Sequence, residues 1–227
     1  MASEIPPVGN PGKWPTAEGI NRQISIAEKA NGRQSPLHNM GADFIEFGNK
    51  YGINPGVVAA ILQRESQMGA DGSILPTQCD NFGGITGKGT AGYCTPASGI
   101  HNREWAKFAN PRDGLEQTFK LLDSQLYRKT GGKLADIMQV YSPSYENNHD
   151  EIFLTFAAVG SNIGIEINRN TNIYKHGGTG STPAGDTGNV WSIVPGFVGK
   201  TAENILPRAI LFLIGIAILI IAGRTLL

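Results

Sequence analysis

The stretch Asn54-Pro55-Gly56-Val57-Val58-Ala59-Ala60-Ile61-Leu62-Gln63-Arg64-Glu65-Ser66-Gln67-Met68-Gly69 reads as a helix that carries one acid on its apolar side. Asn54 is a residue type that caps free amides, and Pro55 suits the first helical position, where no N–H is needed. Val58, Ile61 and Leu62 precede Glu65 by seven, four and three residues, so at 3.6 residues per turn they share its face. A carboxyl held against apolar neighbours resists ionisation and keeps its proton near neutral pH, which is the property of a general acid. A glutamate at a helix end whose tip reaches solvent would show the same spacing, so the neighbouring segments must decide between the two.

The next marked segment is Asp80-Asn81-Phe82-Gly83-Gly84-Ile85-Thr86-Gly87, inside a stretch rich in Gly, Thr and Asn. A helix ending in Glu-Ser-x-x-Gly, then Asn-Phe-Gly-Gly-Ile-x-Gly, resembles the glucosaminidase and lytic-transglycosylase branch of the lysozyme-like superfamily, whose members cut peptidoglycan glycan strands. Trp105-Ala106-Lys107-Phe108-Ala109-Asn110-Pro111-Arg112-Asp113-Gly114 and Tyr141-Ser142-Pro143-Ser144-Tyr145-Glu146-Asn147 are similar to further segments of that family, in the expected order. The resemblance covers residues 40 to 160.

This resemblance implies Glu65 as the catalytic acid, with Tyr141 or Tyr145 orienting the sugar or stabilising its charge. Tyr141 is the candidate catalytic partner; Ser66, Asn81, Phe82, Gly83, Tyr145 and Asn147 are the candidate substrate-binding residues. The second group of a two-carboxylate scheme stays open between Asp71 and Asp80. Many members of the family lack a fixed second carboxylate, and there the substrate's own N-acetyl group or the muramic 6-hydroxyl acts instead. The tandem Gly83-Gly84 and the long loop from Cys79 to Cys94 depart from the family's shorter forms.

Composition narrows the function classes. The 227 residues have a formal net charge of +0, which gives no electrostatic case for a nucleic-acid partner. With 40% hydrophobic residues the chain can build a core, and its 30 glycines point to long loops and linkers. The two cysteines, Cys79 and Cys94, bracket the Asn-Phe-Gly-Gly segment, either as a disulfide closing that loop or as two reduced thiols. The four histidines are scattered without metal-site spacing, and no cofactor is expected.

Read in order, residues 1–38 form an extended, Pro- and Gly-rich arm followed by a helix from Ala17 to Ala30 that stops at Asn31-Gly32. A second amphipathic helix spans 39–50, with Met40, Phe44 and Phe47 on one face. Residues 70–101 carry the turn residues of an irregular β-hairpin lobe. Asn110-Pro111 opens a helix whose stripe is Leu115, Phe119, Leu122 and Leu126, and two shorter helices lie around Ile137 and Phe153. The expected fold class is therefore mainly α, an α+β lysozyme-like domain over 39–165. A flexible Gly/Thr-rich linker at 166–200 and a C-terminal hydrophobic helix at 201–227 complete the chain. The uncharged run from Ala209 to Gly223 is flanked by Arg208 and Arg224, which can snorkel, so a transmembrane helix is expected there, with burial in a many-subunit assembly as the alternative.

The N-terminus has neither a basic start nor an apolar run, so no secretory signal is read there. A wall-cutting domain without such a signal needs another route to its substrate. The expectation is a phage virion component that acts at the host envelope, cleaves peptidoglycan strands between MurNAc and GlcNAc, and meets a membrane, other virion proteins or further copies of itself, as a homo-oligomer, through residues 205–227. The alternatives are a non-catalytic glycan-binding part of a membrane conduit and a conjugation or secretion-system hydrolase.

Overall fold

The computed structural model describes residues 13–142 and 148–175. Residues 1–12 of the N-terminal arm, residues 176–200 of the expected linker, the apolar segment at 201–227 and two candidate binding residues, Tyr145 and Asn147, lie outside the described residues. Among the described residues no helix is long and apolar enough to cross a membrane.

The described fold is mainly helical. Its α-helices are α1 (Ala17–Asn31), α2 (Gly41–Tyr51), α3 (Pro55–Ser66), α4 (Ile74–Cys79), α5 (Pro111–Asp123), α6 (Gln125–Arg128), α7 (Leu134–Tyr141) and α8 (His149–Ile163). Helix α3 is central: every residue from Pro55 to Leu62 is buried, and the helix packs against α1, α2 and most extensively α8. Its start agrees with the sequence pattern, because the Gly56 N–H donates to Asn54 Oδ1 at 2.9 Å. Burying side chains such as Val58, Ile61 and Leu62 contributes roughly 1.5–3 kcal/mol each, which holds α3 in place far more firmly than its cap does.

The core extends beyond 39–165 in both directions. Ile20, Ile24 and Ala27 of α1 join the same apolar cluster as Ile165, Ile167, Ile173 and Tyr174. Helix α1 therefore belongs to the body, and residues 166–175, expected as linker, close it. That last segment turns at Arg169–Asn170 and is held by backbone hydrogen bonds. Asn54 N–H donates to Ile173 O at 2.6 Å, Leu134 N–H to Thr171 O at 2.9 Å, and Lys175 N–H to Gly52 O at 2.8 Å. The Tyr174 hydroxyl, deep in the core, donates to Leu122 O at 2.8 Å.

The long helix expected after Asn110-Pro111 breaks at Ser124, whose backbone turns to the extended region (φ −64°, ψ 156°). The break shifts the register of the residues beyond it. Leu126, expected in the buried stripe, is 43% exposed, and Tyr127 takes the inward position at 1%.

The segment between α4 and α5 forms the lobe. It is irregular as expected: among the described residues its backbone pairing is confined to isolated bridges, including Thr86↔Trp105 and Tyr93↔Ala106, with two turns of 3₁₀ helix at Thr95–Ala97 and Ile100–Asn102. Cys79 and Cys94 are joined by a disulfide, and with Ala97 and Trp105 they make a small apolar cluster separate from the main core.

Candidate active site

Glu65 sits in the last turn of α3, just before a tight reversal of the chain. Gln67, Met68 and Gly69 all take positive φ, at 49°, 57° and 79°. Two side chains stabilise this unusual run. The Gly69 N–H donates to Ser66 Oγ at 3.1 Å, and Ser35 Oγ donates to Met68 O. Ser66 is thus 3% exposed and spent on ending the helix, so it supports the site from behind.

The lobe comes down over this helix end. A carbon added at Gly84, where φ is +60°, would lie 3.8 Å from Glu65 Oε2 and 3.9 Å from Cζ3 of Trp105. Protein surrounds the carboxyl, yet the residue keeps some accessible surface. Burial pushes the Glu65 pKa up from 4.5 to about 8, against the opposing pull of the Arg64 guanidinium. Desolvation wins because ionising a carboxyl away from water costs more than one neighbouring cation returns.

Two tyrosines share this space. The Tyr141 hydroxyl donates to Gly83 O at 2.8 Å, and a carbon added at Gly83 would lie 3.4 Å from that hydroxyl and 3.3 Å from Thr118 Oγ1. Tyr127 lies with its ring centre 6.2 Å from that of Tyr141. Burial pushes both phenols up, and the Glu65 charge adds to the effect in each, which places both within electrostatic reach of the carboxyl. Neither tyrosine ionises near neutral pH, so each is a hydrogen-bond donor and a wall.

Of the residues singled out from the sequence, Glu65, Gly83 and Tyr141 come together. Asn81 and Phe82, each 1% exposed, point into the interior. Asn81 Nδ2 donates to Ile85 O at 2.8 Å and to Ala106 O at 3.0 Å, while its Oδ1 accepts from Ile85 N–H at 2.8 Å. Asn81 is therefore the polar pin of the lobe, and Phe82 packs beneath Gly69 and Gly114. They shape the site rather than face it. Asp71 accepts hydrogen bonds from the Ser73 N–H and hydroxyl, at 3.0 and 2.9 Å. Asp80 is raised by burial and by Asp113 and lowered by Lys107, so its charged neighbours belong to the start of α5 and the strand-like segment before it. Tyr127 gives no signal in the sequence, because the unbroken helical stripe points to Leu126 instead.

No family model matches the chain, and no curated protein matches it. Among solved structures, the catalytic domain of the autolysin Auto from Listeria monocytogenes is similar at a TM-score of 0.39 and 15% identity, over 63% of this chain and 85% of that one. A likeness of that extent fixes neither fold nor activity.

Proposed function

We propose that this protein is a glycosidase that cleaves peptidoglycan glycan strands between MurNAc and GlcNAc, with Glu65 as the general acid. The observation that carries the reading is a single carboxyl, held at the end of a buried helix, whose pKa is lifted to about 8 by the lobe and helix around it. Such a group is protonated at neutral pH and can give its proton to a glycosidic oxygen. Tyr141, anchored on Gly83 O, offers a neutral phenol beside the acid, suited to orienting the sugar or facing the charge that develops as the bond breaks.

The chemistry divides into stages. Glu65 protonates the leaving oxygen, and positive charge builds on the sugar left behind. The cation is then captured by water, or by the sugar's own N-acetyl or 6-hydroxyl group, with Glu65, now ionised, able to take back a proton from the attacking group. Asp71 accepts two hydrogen bonds from Ser73 in its own turn, which favours capture that does not need its carboxylate.

Delivery in a phage particle is the setting that joins a wall-cutting domain to the apolar run at 209–223, a run suited to a membrane or an assembly. The disulfide is in keeping with action outside a reducing cytoplasm.

The test is digestion of purified peptidoglycan by the full chain and by Glu65→Gln, with products read by mass spectrometry. Soluble fragments from the wild type alone are expected, and their ends name the reaction: reducing GlcNAc, reducing MurNAc or anhydro-MurNAc. A folded wild type that releases nothing from several wall types would leave only glycan binding. Finding the protein in uninfected cells and not in purified particles would end the phage assignment.

A further inference from the structure

Tyr141 is held at its hydroxyl by Gly83, and the residue after it is held by an imidazole. We propose that His149 is a positioning residue for Tyr141, fixing the end of α7 from which the phenol reaches Gly83; this rests on the reading of Tyr141 as part of the active site.

His149 is the first residue of α8 and is 9% exposed. Its Nε2 lies 2.6 Å from Ser142 O, and since a carbonyl can only accept, Nε2 carries the proton. Nδ1 is then the acceptor, and it faces Gln139 Nε2 at 3.3 Å. One ring thus grips α7 twice, in its last turn and at its C-cap. An edge-to-face contact with Phe153, centres 6.3 Å apart and planes at 79°, keeps the ring from turning.

The grip falls where the helix is weakest. Carbonyls at a helix C-terminus have no partner within the helix, and Ser142 is 3% exposed, so water does not readily supply one. The Ser142 N–H already donates to Met138 O at 2.8 Å. With His149 on its carbonyl, Ser142 is fixed on both sides. Tyr141 precedes it directly, and its side chain is a long lever: a small rotation at the helix end moves the hydroxyl off Gly83 O, and with it the ring that stands beside Tyr127. The sequence offers no sign of this, because a histidine opening a helix is ordinary until its partner is known.

The test uses the full chain on purified peptidoglycan, with rates at saturating and limiting substrate for His149→Phe, His149→Gln, Tyr141→Phe and the pair of Phe changes together. His149→Phe is expected to lower the saturated rate by about 30- to 100-fold, the scale of a small misplacement, while the half-saturating concentration stays within about twofold. His149→Gln, which keeps a donor, is expected to recover most of the loss. In the Tyr141→Phe background His149→Phe is expected to cost less than about threefold more, because both changes act through one phenol. Wild-type rates in His149→Phe, or losses that multiply in the pair, would overturn the proposal.

Nitrogen-15 spectra of the wild-type imidazole supply a readout that no variant's folding affects. A protonated Nε2 and bare Nδ1 on His149 are expected, and the opposite tautomer overturns the clasp even if His149→Phe fails to fold. An inactive wild type with the expected tautomer would count against the glycosidase reading and, by removing the reaction, against the positioning role as well. An active wild type with an indifferent His149→Phe would count against the positioning role alone.

Discussion

The helical body and the lobe are built on different physics. The body holds an apolar cluster that runs from Ile20 to Tyr174, with side chains such as Phe44, Phe119 and Phe156 fully buried. The lobe sends Phe82, Ile85, Ala106 and Phe108 into that cluster, and beyond them it has a second cluster of Cys94, Ala97 and Trp105 with Cys79 of α4, a disulfide, isolated bridges and the three hydrogen bonds of Asn81. Hydrophobic burial dominates in the body, whereas the outer part of the lobe, with so small a cluster, leans on its cross-link and its polar pin. The site draws on both. The body supplies Glu65 at the end of α3, and the lobe supplies Gly84 and Trp105 around it. A firm helix aims the acid, and a separately fastened cover keeps water from ionising it.

The largest effect that separates the two regions is at the acid itself. Glu65→Gln is expected to reduce glycan cleavage by about 10³-fold or more, with the fold retained. The same change has a signature in stability. The folded protein holds the Glu65 proton up to about 8, while the unfolded chain releases it near 4.5, so wild-type stability falls as pH rises between those values. Denaturant midpoints should therefore diverge in favour of Glu65→Gln from pH 4.5 upward and run parallel above pH 8.

Next comes the cross-link. Replacing both cysteines by alanine releases a loop with a sequence separation of 15, worth about 3 kcal/mol in the chain-entropy account. The loss should fall on the lobe. Faster amide exchange at Gly84 to Trp105 and a steep drop in cleavage are expected, with helical circular dichroism retained; equal loosening of α3 and α8 would erase the distinction drawn between the regions.

The seam between them is the third case. A carbon added at Gly114 of α5 would run into the backbone oxygen of Asp80, an approach that must push the base of the lobe from the body. Gly114→Ala is expected to cost about 2 kcal/mol, read by denaturant titration, and to lower activity as well. The smallest effect belongs to the body alone. Tyr174→Phe removes the hydrogen bond to Leu122 O, and a loss of about 1 kcal/mol with cleavage unchanged is expected from the same titration and a digestion assay.

How much of the molecule is legible in its sequence depends on how local each signal is. The Asn54-Pro55 start and the stripe beneath Glu65 need only neighbours within a few turns, and α3 is legible for that reason. The Asn81-Phe82 segment is recognisable as a motif, but a motif gives residue identity without direction, and both side chains point inward. Tyr127 is hidden by the turn at Ser124, since a helical period carried across a break lands one residue away. Residues 166–175 are illegible for another reason: a non-helical segment fastened by backbone hydrogen bonds needs no apolar rhythm along most of its length. The reach of His149 to Ser142 depends on two helices meeting, and no spacing encodes it.

The most direct measurement is the release of soluble fragments from purified peptidoglycan across pH 5 to 10, by the wild type and by Glu65→Gln in parallel. A protonated Glu65 must donate, so wild-type cleavage is expected to fall as pH rises through about 8, with no cleavage above background in Glu65→Gln at any pH. Fragments released equally by both proteins, with no alkaline limb in either, would contradict the assignment of Glu65 as the acid.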